Sequence, residues 1–293
     1  MTAAAKYSRS FGLGLKAALE YRVNFFLSVL SAVWPVVIQT ALWIALYAPA
    51  AAGGAASADA AAGAGGADPA SAQASADSLF GFTFAQMVAY TVIAQLVSRL
   101  VRTGFEYEIN EDIKGGGLDR YLVKPMNYFG FRLSAFLGDK GVQAAFMAIL
   151  LAASVAVLAF VLGFPVALGA ILAFAVSLPL AFILNFLIFW CVGMAGFWLT
   201  DIGFLFEAVR IVIIAAAGGI FPLEVLGPGP AAFLRLLPFR FTIQFPTELL
   251  AGRVPPSALL GAFALASVWI AVLAVVSRLL WKAGVRRFAA VGS

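Results

Sequence analysis

Long apolar stretches alternate along the chain with shorter polar connections. Six of these stretches are apolar enough for membrane-crossing helices, at residues 23–48, 80–101, 142–162, 166–199, 202–217 and 259–281. A bilayer core about 30 Å thick needs roughly 20 apolar helical residues, because unpaired backbone groups are costly in hydrocarbon. The pattern therefore predicts an all-α membrane protein with six transmembrane helices, of which the fifth is the shortest.

Lysine and arginine lie unevenly on the two sides of these predicted helices. Of the 19 residues, all except Arg235, Arg240 and Arg253 lie before the first helix, at the second or fourth connection, or near the carboxyl terminus. Cytoplasmic connections of membrane proteins are enriched in lysine and arginine. The distribution predicts a multi-pass protein of the cytoplasmic (inner) membrane with both termini in the cytoplasm.

Composition limits the possible functions. Hydrophobic residues make up 63% of the chain and charged residues 11%, whereas soluble domains have about a half and about a quarter. The net charge of +5 comes from residues that flank apolar stretches, so anionic lipid headgroups are expected partners and nucleic acid is not. The sequence has no histidine, which excludes Ser-His-Asp and Cys-His catalysis. We therefore expect no catalytic residue, metal site or enzymatic activity in this chain.

The remaining segments have distinct patterns. Residues 1–22 place Tyr7, Phe11 and Leu15 at helical spacing, which favours a cytoplasmic interfacial helix over a frayed tail. Residues 49–79 are mainly Ala, Gly, Ser and Asp, a composition typical of a flexible outer loop. Glycines and prolines interrupt residues 218–257, which predicts short helices at the outer surface. Residues 282–293 form a basic cytoplasmic tail.

The cytoplasmic connection at residues 102–140 is chemically mixed. Phe105, Ile109 and Ile113 share one side of a predicted short helix, with acidic residues around them. Three glycines at 115–117 are expected to end that helix, since glycine leaves helical dihedrals without steric penalty. By composition alone, the segment is equally a helix that docks on a soluble partner or a solvated loop.

Three patches carry a family resemblance. The runs EINEDIKGGGLDRYLVKPMNYFGFR, LPFRFTIQFPTELLAGR and WKAGVRRFAAVGS resemble the cytoplasmic loop, the outer segment and the basic tail of ABC-2 type permeases. The resemblance implies a permease subunit of an ATP-driven exporter, in which a second permease half (an identical or a related chain) and two cytosolic ATPase subunits complete the transporter. It also implies that a cytoplasmic coupling helix contacts the ATPase through Phe105, Glu106, Glu108, Ile109, Glu111 and Asp112.

The sequence shows no motif for binding ATP, the expected source of energy. No Gly-x-x-x-x-Gly-Lys-Ser/Thr run occurs in the sequence, so no loop that cradles phosphates is visible. If ATP drives transport, ATP and Mg²⁺ bind to another chain, and no cofactor is expected on this one.

Four polar residues within the apolar stretches are candidates for function. Asn185 is expected to bridge neighbouring helices or, less simply, to contact a substrate. Asp201 lies at a predicted boundary, and Glu207 and Arg210 are three residues apart on a helix and able to pair. These charges either anchor the fifth helix or serve an ion- or proton-coupled carrier or channel, which is the alternative function. Nearby aromatic residues, such as Phe186 and Trp190, either line a path or pack against helices.

Overall fold

A computed structural model describes residues 12, 33–64, 78–115, 117–118, 121, 127–162, 167–199 and 203–291. The predicted interfacial helix at 1–22 lies outside these residues, except for Gly12.

Helices dominate the described part of the chain. The only strands there are the two-residue pair β1 (Ser78–Leu79) and β2 (Phe82–Thr83), which are antiparallel. The α-helices are α1 (Val33–Ala64), α2 (Phe84–Val101), α3 (Phe105–Lys114), α4 (Tyr128–Leu162), α5 (Leu168–Gly193), α6 (Gly203–Ala216), α7 (Pro228–Leu236), α8 (Gln244–Leu250) and α9 (Pro256–Val291). Short 3₁₀ turns at Met194–Phe197, Leu223–Leu226 and Pro238–Thr242 connect some of them. The prediction of an all-α protein is confirmed.

Within the described residues, three helical segments are long and apolar enough to cross a membrane: Phe84–Lys114, Leu168–Phe197 and Pro256–Phe288. Two shorter apolar segments, Val33–Ala48 and Ala144–Val157, accompany them. Each of the six stretches predicted from the sequence overlaps a helix of the structure. α6 has only 14 residues, which at 1.5 Å per residue gives about 21 Å, less than the thickness of a bilayer core.

The structure differs from the flexible outer loop predicted at residues 49–79 over residues 49–64, whereas residues 65–77 lie outside the described residues. α1 continues through Ala64, so residues 49–64 are helical. Alanine has the highest intrinsic helix propensity, and many of the residues that follow the apolar part of α1 are alanines. A lack of large apolar residues predicts a loop, whereas the helix propensity of alanine favours a continued helix.

The segment at 218–257 contains the predicted short helices, but not all of them lie at the surface. Every residue of α8 is buried, including Gln244 and Thr247 at 0% exposure. α8 packs against α2 and α5, and the backbone N–H of Gln244 donates to the carbonyl of Ala217 at 2.9 Å. Glycine at position 218 has a φ of +72° and accepts a hydrogen bond from the Tyr90 hydroxyl at 2.7 Å. α8 and the turn at Gly218 therefore lie inside the protein, where protein groups pair their backbone.

α5 lies at the centre of the fold. It packs against α3, α8 and α9, and its second half contributes to two apolar clusters. The first cluster joins α2, α5, α8 and α9, and the second lies under α3. Long apolar helices leave few polar groups to pair between them, so close side-chain packing provides most of the contact energy.

Gly284 allows α9 to cross the 3₁₀ turn that follows α5. A Cβ atom at this position would overlap the ring of Phe197, which is itself 8% exposed. We expect Gly284→Ala to lower the free energy of unfolding by about 1–3 kcal/mol, the usual cost of overpacking. Thermal unfolding in detergent measures this change.

Gly261 provides a matched control on the same helix. A Cβ atom at Gly261 meets nothing within 4 Å, so Gly261→Ala is expected to be neutral or to stabilise by up to about 1 kcal/mol through helix propensity. Equal melting temperatures for the two variants would contradict the close contact at Gly284.

Candidate functional site

α3 is a short amphipathic helix directly after α2. Phe105, Ile109 and Ile113 are 7%, 0% and 6% exposed and form its buried side, as the spacing of these residues predicts. The helix ends at Lys114, and the backbone N–H of Gly115 closes its last turn on the carbonyl of Glu111 at 2.8 Å. The predicted end of the helix at the glycines is confirmed.

An aromatic bed supports the buried side of α3. The ring of Phe105 lies 4.7 Å from that of Phe186 and 5.6 Å from that of Phe136. Trp190, 1% exposed, stacks on Phe186 and contacts Trp281 at 5.9 Å. These side chains come from α4, α5 and α9, so α3 rests on three long helices at once. The interpretation of these aromatic residues as helix packing fits Phe186 and Trp190.

Gly193 brings α3 close to the end of α5. A Cβ atom there would lie 3.2 Å from Cδ1 of Ile109 and 3.5 Å from the Cα of Glu106. A larger side chain would push the two helices apart, because both contacts are on the buried side of α3. The absence of a side chain thus determines how deeply α3 sits.

Arg210 ties α3 to α6. Its Nη2 forms an ion pair with Oε1 of Glu106, which is 0% exposed, and its Nη1 lies 3.7 Å from Oε1 of Glu207. The Tyr107 hydroxyl donates to the same Glu207 carboxylate, and the guanidinium lies 5.7 Å from the Tyr107 ring centroid. The Glu207–Arg210 contact that the spacing suggested is present, but Arg210 also pairs with a residue 104 positions away.

Arg132 ties α3 to α4 on the other side. Its guanidinium forms ion pairs with Glu108 and Asp112, and its Nε donates to the Tyr128 hydroxyl at 3.0 Å. Tyr128 in turn donates to Oδ2 of Asp112 at 2.6 Å. Burial raises the pKa of the Tyr128 phenol well above its ordinary value, so the hydroxyl remains protonated and able to donate. α3 is therefore held by arginines from two different helices.

The structure divides the six residues that the resemblance placed at an ATPase interface. Phe105, Glu106 and Ile109 face the chain's own core and do not present a surface to a partner. Glu108 and Glu111 are exposed, and Asp112 is half-buried in its pair with Arg132. The helical period accounts for this division, since residues three and four apart share one side.

The intramembrane polar candidates have different positions. Asn185 donates from Nδ2 to the carbonyl of Val101 at the end of α2, which is a bridge between helices of the expected kind. Asp201 lies outside the described residues. Arg132 and Tyr128 were not singled out from the sequence, because their acidic partners Glu108 and Asp112 lie on another helix, 16 to 24 positions away.

Residues 72–292 match the family described as ABC-2 family transporter protein. The chain belongs to this family. The match covers α2 to α9 and so includes the site around α3. No curated protein matches the chain.

Membership of the ABC-2 family, together with the apolar helices, establishes a multi-pass membrane protein. It is an ABC transporter permease, that is, a transport membrane subunit. Permeases of this family work with ABC ATPase subunits. The resemblance noted in the sequence is confirmed at the level of the family.

Proposed function

We propose that this ABC-2 protein is the permease subunit of an ATP-driven exporter in the cytoplasmic membrane. ATP and Mg²⁺ bind to a separate ATPase subunit, and α3 is the coupling helix that contacts it. The observation that carries the proposal is that α3 is fastened by ion pairs to α4 and α6 while Glu108 and Glu111 remain exposed. A helix held in this way transmits displacement of its outer side to the membrane helices instead of bending alone.

The proposed topology has six membrane helices, namely α1, α2, α4, α5, α6 and α9. α6 is short, and the turn after it is paired by protein groups, since the N–H of Gly219 donates to the carbonyl of Ile214 at 2.9 Å. α6 therefore ends within protein and not in lipid. The distribution of lysine and arginine supports cytoplasmic termini and a cytoplasmic α3.

The proposed mechanism begins when two ATPase subunits close on ATP and displace the exposed side of α3. The Glu106–Arg210 pair moves α6, and the pairs of Arg132 with Glu108 and Asp112 move α4. A second permease half, identical or related, supplies the opposite wall of the path. The two halves then reorient a cavity from the cytoplasm to the outside, where the substrate is released.

Glu111 provides a test of sidedness. In a Cys191→Ala background, which removes the only cysteine, we expect Glu111→Cys to react with a membrane-impermeant maleimide in inside-out vesicles and not in intact cells. The matched control is Ser257→Cys at the start of α9, also exposed, which is expected to react in intact cells. Labelling of Glu111→Cys from outside would overturn the proposed orientation.

The same position tests docking. Glu111 is preferable to Glu108 because Glu108 is paired with Arg132, and to Ile109 because Ile109 is buried. A photo-crosslinking residue at 111 should attach to the ATPase subunit that is co-expressed with the permease, while the same residue at 257 should not. Equal crosslinking at both positions would contradict docking through α3.

Transport by this chain alone in liposomes, without any ATPase, would favour the alternative of an ion- or proton-coupled carrier or channel. Two of its three candidate charges, Glu207 and Arg210, lie in the group of side chains that holds α3. This arrangement favours the anchoring role over a transport role for them.

A further inference from the structure

α9 is longer than a bilayer core requires. Its 36 residues, at 1.5 Å per residue, extend about 54 Å, whereas the hydrocarbon core is about 30 Å thick. Large exposed apolar side chains continue along α9 as far as Leu279, and Arg278 is the first charged residue of the helix. The part of α9 from residue 278 onward therefore extends beyond the core, on the side that we propose to be cytoplasmic.

One side of this extension packs against the protein. Trp281, part of the aromatic bed under α3, stacks on Tyr128 with ring centroids 5.4 Å apart. Gly284 is buried against Phe197, and Phe288 contacts the same ring at 6.4 Å. Because Trp281, Gly284 and Phe288 are three or four residues apart, they share one side of the helix. These contacts fix the rotation of α9 about its axis.

Three basic residues lie on another side of the extension. Arg278, Lys282 and Arg286, here called the basic strip, recur every four residues, and all three are exposed. Within the described part of the chain, no ion pair or hydrogen bond joins them to another residue. No Asp or Glu follows Glu248 in the sequence, so no acidic neighbour on α9 neutralises them. The basic strip therefore presents three accessible positive charges.

The basic strip continues the apolar side of α9 that faces away from the protein. Leu260, Val268 and Val275 are 82%, 56% and 54% exposed. With 3.6 residues per turn, they fall within the same sector of about 80° around the helix axis as the basic strip. In a membrane protein, an exposed apolar side of this kind is a surface for lipid or for another membrane protein.

Charge decides between these two occupants. A second identical permease half on this side would bring two basic strips together, and like charges across an interface repel. A soluble protein on the same side would have to lie between the basic strip and the surface of the membrane. Anionic lipid provides hydrocarbon next to the apolar part and negative charge next to the basic part, in the order in which α9 presents them.

Distances along α9 agree with lipid headgroups. The headgroup layer is about 5–7 Å thick on each side of the core. Measured along the axis from Leu279, Lys282 lies about 4.5 Å and Arg286 about 10.5 Å further on. The potential of an anionic surface extends about 8–10 Å into solution, and long basic side chains reach back toward the interface. All three charges are therefore within reach of headgroup phosphates.

We propose that the basic strip binds anionic lipid headgroups of the cytoplasmic leaflet, while their hydrocarbon tails contact the exposed apolar side chains that precede it on α9. The other side of α9 packs on the aromatic bed, so lipid that holds α9 in place also stabilises this packing. The sequence indicated anionic lipid for the chain as a whole, and the basic strip gives this partner a specific site. An effect on coupling through α3 rests on the proposed function, whereas the binding does not.

Native mass spectrometry of the full chain tests the binding. The purified chain, in a neutral detergent and without any ATPase, is titrated with dioleoylphosphatidylglycerol and separately with dioleoylphosphatidylcholine. Each basic residue near anionic lipid contributes about a fivefold factor in affinity. We therefore expect the first phosphatidylglycerol to bind at least about tenfold more tightly than phosphatidylcholine. Because no ATPase is present, failure of docking through α3 would not affect this result.

Variants locate the binding. Arg278→Gln, Lys282→Gln and Arg286→Gln should each weaken phosphatidylglycerol binding about threefold to fivefold, and the triple variant at least about tenfold. Lys282→Arg keeps the charge and should bind as the original chain does. Arg235→Gln removes an exposed positive charge from α7, away from α9, and is the matched control. It should leave binding of both lipids unchanged.

Thermal unfolding in nanodiscs tests the effect on packing. Replacing part of the phosphatidylcholine by phosphatidylglycerol should raise the melting temperature of the original chain by several degrees, because a ligand of the folded state stabilises it. The triple variant should show almost no such increase. In phosphatidylcholine alone the two proteins should melt at similar temperatures, since the basic strip makes no ion pair or hydrogen bond with the described residues.

Four results would overturn the proposal. They are equal binding of the two lipids, a triple variant that keeps the preference for phosphatidylglycerol, equal weakening by Arg235→Gln and Lys282→Gln, or a triple variant that phosphatidylglycerol still stabilises fully. A triple variant that kept its lipid preference but no longer co-purified with the ATPase would assign the basic strip to a protein interface instead.

Discussion

Replacing Arg210 with methionine is expected to lower the free energy of unfolding by about 3–5 kcal/mol, because it leaves the Glu106 carboxylate buried without its partner. Glu106 is 0% exposed and Arg210 is 7% exposed, so water cannot replace the lost ion pair. Unfolding of the purified chain in mixed detergent micelles measures the change. The variant should also lose crosslinking from position 111 to the ATPase, since α3 is no longer fastened to α6.

Two further variants make this result specific. Arg235→Met removes an arginine that pairs with Glu224 and whose side chain is 44% exposed. Its effect on the free energy of unfolding should stay within about 1 kcal/mol. The double variant Glu106→Gln/Arg210→Met should recover most of the loss, because no uncompensated charge remains. A double variant as unstable as Arg210→Met alone would show that the cost is lost packing and not an unpaired carboxylate.

Replacing Trp190 with alanine is expected to cost about 3–5 kcal/mol, the range for a large aromatic side chain removed from a core. Trp190 is 1% exposed and contacts the rings of Tyr128, Phe129, Phe186 and Trp281. Its removal leaves a cavity in the aromatic bed under α3. The surrounding helices α4, α5 and α9 are unable to move together and fill this cavity. The same detergent unfolding measurement applies.

Trp198 is the matched control for Trp190. It is the same residue type eight positions later and is 38% exposed, so Trp198→Ala should cost distinctly less. Similar losses for the two variants would contradict the central place of Trp190 in the bed.

The variants Arg210→Met and Trp190→Ala test the two attachments of α3 separately. The ion pair with Arg210 fixes the position of α3 relative to α6, and the aromatic bed fixes its depth over α4, α5 and α9. A buried ion pair contributes little net stability compared with apolar packing, but its loss on one side is costly. We therefore expect Arg210→Met to impair coupling even where the aromatic bed keeps the fold intact.

Local pattern was sufficient for part of this site. The spacing of Phe105, Ile109 and Ile113 predicted one buried side for α3, and the glycines after Lys114 predicted its end. Both features depend on residues close together in the chain, where helical period and backbone preference decide the outcome. The pairing of Glu207 with Arg210 was foreseeable for the same reason.

Other features depended on contacts that no spacing reveals. Glu106 was assigned to a partner interface along with its acidic neighbours, yet it lies inside the chain against Arg210 of α6. A buried acidic residue is the exception among helix carboxylates, because desolvation must be offset by a specific partner. Arg132 and Tyr128 likewise gained their role from α4 lying beside α3.

The sequence by itself determined that this chain is helical, embedded in a membrane and related to ABC-2 permeases, because hydropathy over 20 residues and short motifs are local properties. Only the tertiary structure decided which side of α3 is available to a partner, how α8 is buried, and which polar side chains meet around α3. Those features arise where helices distant in sequence come together, and the energy of each contact depends on both of its partners.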